Sequence, residues 1–141
     1  MPEENIKAFD SNVLVYAFDL DEPEKRKIAL MLFEEVNSYH YKGFISIQNL
    51  NELFYNLIRK DIRSLPEAAH IIQDLMRSKQ WIVADLTKET LKLGLRLIKN
   101  KNQFWDGLIA ANAVLNGVKE IYTENPKHFP AELIKPINPF K

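Results

Sequence analysis

The chain of 141 residues has no cysteine, which removes disulfides, thiolate zinc sites and a cysteine nucleophile, and leans weakly towards an intracellular setting. It has no excess of charge: 19 Lys and Arg balance 19 Asp and Glu. The whole-molecule field that draws many nucleic-acid binders to their targets is therefore missing, and any such partner has to be held by local patches. No apolar run approaches the roughly 20 residues of a membrane span, and the start, Met1 to Lys7, is polar and unlike a secretory signal. A cytoplasmic protein without membrane contact is expected. The motifs G-x-x-x-x-G-K-[ST], G-x-G-x-x-G and G-x-S-x-G are also absent, leaving P-loop, dinucleotide-fold and hydrolase-elbow chemistry without support. His40, His70 and His128 show no ligand spacing, which argues against a histidine zinc site.

What is present suits one folded domain over residues 1–141: 46% of the residues are hydrophobic and 27% charged, and a chain of this length removes about two-thirds of its unfolded surface from water. Ile6 to Phe9, Gly43 to Ser46, Trp81 to Leu86, Glu120 to Thr123 and Leu133 to Lys135 read as short strands. Between them lie helical patterns. Val13 to Phe18 continues the first apolar run, and Asp21-Glu22-Pro23-Glu24 opens a helix with a capping acid and Pro in the first turn. Ser46 precedes a helix with the stripe Leu50, Leu53, Phe54, Leu57, Ile58, and Leu65-Pro66-Glu67 opens the next. Thr87 caps a helix expected to turn Leu91, Leu95 and Ile98 inward. Phe104 to Leu115 is apolar nearly all round, as in a helix buried on most sides, with Gly117 to end it. The alternation predicts an α/β fold with a mainly parallel central sheet of about four or five strands flanked by helices, in which ligands bind beyond the carboxyl ends of the strands.

Three acids stand in settings that suggest a held carboxylate. Asp10 follows the first strand directly; as a single residue it reads equally well as a turn residue bonding its own backbone. Glu52 lies opposite the apolar stripe of its helix, beside Gln48, Asn56 and Arg59, where a solvated face is the plainer reading. Asp106 falls in the first turn of the most apolar helix and shares its side with the small residues Ala110 and Ala113, which suggests room for a partner, although an interaction with the helix N-terminus is the bland alternative. Carboxylates brought to one point repel one another unless a cation sits between them, and they are natural ligands of Mg²⁺ and Mn²⁺. Phosphodiester chemistry is the leading expectation.

These segments, in order and over nearly the whole length, resemble the PIN-domain ribonucleases, most closely those of the VapC toxin type. The resemblance rests on Phe9-Asp10-Ser11-Asn12-Val13-Leu14, Ile45-Ser46 with Leu50 and Glu52, Asp106 with Leu108-Ile109-Ala110-Ala111, Tyr122-Thr123-Glu124-Asn125 with Phe129, and the ending Ile137-Asn138-Pro139-Phe140. It implies a Mg²⁺- or Mn²⁺-dependent endoribonuclease with Asp10, Glu52 and Asp106 as catalytic metal ligands and Ser11 and Thr123 as polar residues beside the metal. It also implies an RNA substrate, a small antitoxin protein as partner and a homodimer. The family commonly places a fourth acid at the position of Asn125 or just before the aromatic that is Phe129 here. This chain has Asn125 and His128 there, with Glu124 as the nearest replacement, so one cation is expected to bind well and a second weakly.

Two other readings compete. A non-catalytic PIN-like module that binds RNA or protein is consistent with the incomplete fourth corner. A phosphatase with an aspartyl nucleophile also begins with a strand ending in Asp, but wants a second Asp where this chain has Asn12. Lys88, Lys92, Arg96 and Lys99 form a basic stripe along one helix, either ordinary solvated surface or an RNA contact.

Overall fold

A strand buried on both faces must carry apolar side chains in both directions, and the first strand does. The computed structural model describes residues 5–141, so residues 1–4 of the polar start lie outside the described residues. Strand β1 (Ile6–Phe9) buries Ala8 towards one face of the sheet and Phe9 towards the other. Helices α1 (Ser11–Tyr16) and α2 (Pro23–Asn37) follow, then β2 (Lys42–Ser46), α3 (Ile47–Arg59), α4 (Leu65–Arg77) and β3 (Trp81–Ala84). After these come α5 (Lys88–Leu97), α6 (Phe104–Leu115), β4 (Glu120–Tyr122) and β5 (Lys135–Ile137). The strands form one sheet in the order β3-β2-β1-β4-β5, each neighbouring pair parallel. The α/β expectation holds.

Alternation along the strands builds two cores. Phe9 and Ile45 face a layer made by α1 to α4, with Leu14, Leu50, Leu53 and Leu57 fully buried there. Ala8, Phe44 and Ile121 face α6, which packs down through Ile109, Ala110 and Ala113. Local signals fix the helix ends. Ser46 caps α3 by accepting from the N–H of Gln48, and Ser64 with Glu67 and Thr87 with Thr90 form reciprocal capping boxes. Gly117, at φ 79°, ends α6 while the N–H groups of Gly117 and Val118 return to Val114 and Ala113, the pairing of a Schellman motif.

Four local expectations need correction. Glu22 stands before α2 without a side-chain cap, although Pro23 does open the helix. The third strand stops at Ala84, leaving Leu86 exposed. The last strand is Lys135–Ile137, displaced from Leu133–Lys135, because β5 is an edge strand that tolerates Pro136 while Ile134 fills the core from the preceding turn. On α5, Leu91 and Leu95 are 45% and 56% exposed and Ile98, just past the helix, is also exposed. The helix instead buries Thr90 and Gly94, and Leu108 of α6 seats where a side chain on Gly94 would be.

Gly43 shows how tightly β2 and β3 are joined: a Cβ there would run into the ring of Trp81, its register partner. Gly43→Ala should therefore destabilise the fold by about 1–3 kcal/mol, read as a lower midpoint in chemical denaturation; an unchanged midpoint would show that the indole can yield.

Candidate metal centre

The order of the sheet sets the position of the site. From β1 the chain runs to β2 on one side, while β4 lies on the other, and in parallel sheets such a reversal opens a crevice at the carboxyl ends of the strands. Asp10 follows β1 and Thr123 follows β4. The backbone N–H of Asp10 continues the ladder to the Tyr122 carbonyl at 2.9 Å.

Asp10 is almost completely buried and accepts three hydrogen bonds. Oδ1 accepts from the N–H of Ser11 at 2.8 Å and from Nδ2 of Asn49 at 3.1 Å, and Oδ2 from the Thr123 hydroxyl at 2.8 Å. The bond to Ser11 also caps α1. Ser11 then turns its own hydroxyl to Oε2 of Glu52 at 2.9 Å, so one residue orients two carboxylates. Gln48, one turn before Glu52 on α3, donates to Oε1 at 3.2 Å. Asp106, in the first turn of α6, lies 3.4 Å through Oδ2 from Nδ1 of His128, in the short turn Pro126–His128. Glu52 and Asp106 share the wall of an open cavity of about 450 Å³ with Gln48, Asn51 and Trp105.

The electrostatics fit a cluster of acids short of positive charge. Burial, reinforced by Asp106 and Glu52 and opposed by the hydrogen bonds from Thr123 and Ser11, raises the Asp10 carboxyl from 3.8 to about 6. Burial also raises Asp106, with Glu52 adding to the effect and His128 offsetting it. The donors are hard oxygens, suited to Mg²⁺ or Mn²⁺. Among the described residues no group of three or more His, Cys, Asp or Glu side chains is gathered closely enough to hold a metal ion, so water or substrate oxygens would have to supply much of the shell, as Mg²⁺ commonly arranges.

Each accessory residue has a definite place. Thr123 and Ser11 contact the acids directly, Asn125 donates its N–H to the Thr123 hydroxyl, and His128 reaches Asp106. Glu124 commits both carboxylate oxygens elsewhere, accepting from Tyr16 at 2.8 Å and Lys25 at 2.7 Å. Ala110 and Ala113, expected to leave room beside Asp106, are packed in the core; the open space is on the Trp105 and Gln48 side. Sequence reasoning missed Asn49. Its signal was a polar residue one turn before Glu52 among the buried positions of α3.

A family model described as PIN domain matches residues 7–131, most of the chain. The chain belongs to the PIN domain family. No curated protein matches it. Among solved structures, this PIN domain resembles a toxin-antitoxin complex from Klebsiella pneumoniae at 18% identity, with a TM-score of 0.67, covering 94% of this chain and 97% of that one. It resembles VapC20 of Mycobacterium tuberculosis, described as a sarcin-ricin loop cleaving toxin, at 16% identity and a TM-score of 0.64, over 90% and 92% of the two chains. VapBC2 from Rickettsia felis, bound to a DNA fragment from its promoter, matches at 19% identity and a TM-score of 0.58, over 94% and 98%. At these identities the likeness is one of fold.

Because Asp10 is raised in the fold, the metal-free PIN domain binds its proton more tightly than the unfolded chain does. Its contribution to stability is complete below about pH 4 and is lost as pH rises through about 6. Asp10→Asn keeps an N-cap acceptor and removes the charge. In chelator it should be the more stable protein at pH 8, on the order of 2–3 kcal/mol, with the gap closing towards pH 4; Mg²⁺ should stabilise the parent and not the variant. A variant no more stable than the parent at pH 8 would show that the carboxylate is not under strain.

Proposed function

We propose that this PIN domain protein is a Mg²⁺- or Mn²⁺-dependent endoribonuclease that hydrolyses RNA phosphodiester bonds, acting as the toxin of a toxin–antitoxin pair. The observation that carries the reading is the pairing of Asp10 and Glu52 through Ser11, with Asp106 close enough to raise Asp10 further, at the carboxyl edge of the sheet. A bound divalent cation supplies charge neutralisation at the phosphate and acidifies an attacking water. The chain's residues do the rest. Asp10, Glu52 and Asp106 would hold the cation; Thr123, Asn49 and Ser11 fix the orientation of Asp10 by hydrogen bonds, and Ser11 and Gln48 that of Glu52. His128 stands at the corner where a fourth acid would be, and lowers the negative charge available to a second cation.

The solved neighbours include a toxin-antitoxin complex and a toxin described as cleaving the sarcin-ricin loop, which supports a small antitoxin protein as partner; a homodimer and a cytoplasmic site of action go with that reading. No helix among the described residues is long and apolar enough to cross a membrane. A second reading, a non-catalytic module that binds RNA or protein, is favoured by the histidine at the fourth corner and the lack of a finished cage.

Cleavage of single-stranded RNA by the purified protein separates the two. Activity should require Mg²⁺ or Mn²⁺, stop with chelator and fall about 100-fold or more in Asp106→Asn; RNA binding without metal-dependent cleavage selects the module. The stripe on α5 tests the route of the RNA. Lys88, Lys92 and Arg96 are exposed on α5, while Lys99, expected on the same helix, lies beyond its end at Leu97 and is shared with Glu132 at 3.4 Å. Neutralising the first three should flatten the dependence of binding on log salt by about 0.7 for each phosphate that no longer meets a cation, and an unchanged slope assigns the stripe to ordinary surface.

A further inference from the structure

The two tryptophans of the chain have opposite environments. Trp81 is 5% exposed in the core, whereas Trp105 is 60% exposed. A single exposed apolar residue is commonplace, so exposure alone decides nothing. Its surroundings do. Trp105 immediately precedes Asp106 in the first turn of α6 and lines the open cavity whose other walls are Gln48, Asn51, Glu52 and Asp106. Consecutive helical positions point about 100° apart, so the indole flanks the carboxylate and leaves it open. The ring of Phe104 lies edge-on to it, centroids 5.1 Å apart at 68°, which restricts the indole before anything binds.

We infer that Trp105 is the stacking platform for the RNA base next to the scissile phosphate, the residue through which this chain holds that base. The inference rests on the ribonuclease reading above and names a residue that holds its substrate. The chemistry of the cavity favours a base over the alternatives. The carboxylates of Glu52 and Asp106 repel the sugar–phosphate backbone wherever no cation intervenes, whereas a base meets them without charge. A nucleobase is neutral, has a flat π-face for the indole, and carries edge groups that amides can read. A volume of about 450 Å³ is in the range of sites for small molecules, sufficient for a nucleotide. Bases inside a duplex are stacked on each other and offer the indole no face.

The test uses the full chain and synthetic RNA of three kinds: a single-stranded 12-mer of mixed sequence, the same strand with abasic positions, and the duplex. With Ca²⁺ present to neutralise the acids, at low salt, the single strand should quench the emission of the exposed tryptophan, and the abasic strand and the duplex should not. Trp105→Phe should lose that quench yet keep most of the affinity, because Phe also stacks. Trp105→Ala should bind the single strand about 5- to 100-fold more weakly and, with Mg²⁺, raise KM far more than it lowers kcat. Equal affinity of Trp105→Ala and the parent, or equal quenching by the abasic strand, would overturn the platform. So would a change of oligomeric state in Trp105→Ala with RNA affinity untouched, which would assign the indole to a contact between copies. If the parent cleaves RNA with metal and only the Trp105 results fail, the platform falls and the ribonuclease reading stands. If the parent neither binds nor cleaves RNA, both fall.

Discussion

A carboxylate buried at the carboxyl edge of a parallel sheet is the constraint around which the rest of this structure is arranged. Burying an ionised group costs several kcal/mol unless hydrogen bonds replace its water. Asp10 draws its donors from three separate places: the residue that follows it, the first turn of α3, and the residue after β4. This ties register to chemistry. Phe9 lies opposite Tyr122 in the parallel pair of β1 and β4, so Asp10 and Thr123 are the next residues out on the two strands. A slip of one residue would turn Thr123 to the other face of the sheet and leave Asp10 one donor short.

A second ring of contacts holds the donors. Asn125 bonds the Thr123 hydroxyl, the N–H of Glu124 goes to Asn12, and the carboxylate of Glu124 is gripped by Tyr16 and Lys25. The chain's last residues close this ring, with Phe140 edge-on to Tyr16 and Asn138 donating to the Glu124 carbonyl. Glu124 and Asp10 are pulled in opposite directions although both are partly or wholly withdrawn from water. Burial raises Glu124 too, but Lys25 and Tyr16 outweigh it and hold the carboxyl below its usual range. Among the described residues Asp10 is met by hydrogen bonds and by the acids Asp106 and Glu52, and stays high. The difference marks Glu124 as a structural acid and Asp10 as one whose counter-charge the chain itself does not supply.

Much of this was legible in the sequence because the relevant signals are local. Strands β1, β2 and β4 are short apolar runs, Ser46 and Thr87 stand just before the helices they cap, and Gly117 stands where a left-handed residue is needed. The acids were visible for a similar reason, Asp10 at a strand end and Asp106 in an apolar helix. What failed depended on packing between elements. The leucines of α5 alternate as well as repeat at helical spacing, and only the fit of Leu108 against Gly94 decides which side of the helix is covered. Asn49 resembles any polar helical residue until Asp10 arrives from another strand. The part played by Glu124 was hidden because its cation, Lys25, lies 99 residues away.

Placing the acids beside an exposed indole has a consequence for how the proposed cation and RNA relate. The chain carries no net charge, and the cavity at Glu52 and Asp106 presents negative charge with His128 as the nearby basic group. Phosphate approaching that wall is repelled until a cation is present, while a cation held by an incomplete set of ligands gains from the phosphate oxygens that complete its shell. Each then strengthens the binding of the other by the same factor, as linkage requires. On the proposed reading, the affinity of the isolated protein for Mg²⁺ would therefore be the weaker limit of its affinity in the presence of RNA. A base stacked on Trp105, as proposed, would supply the part of substrate binding that does not depend on charge.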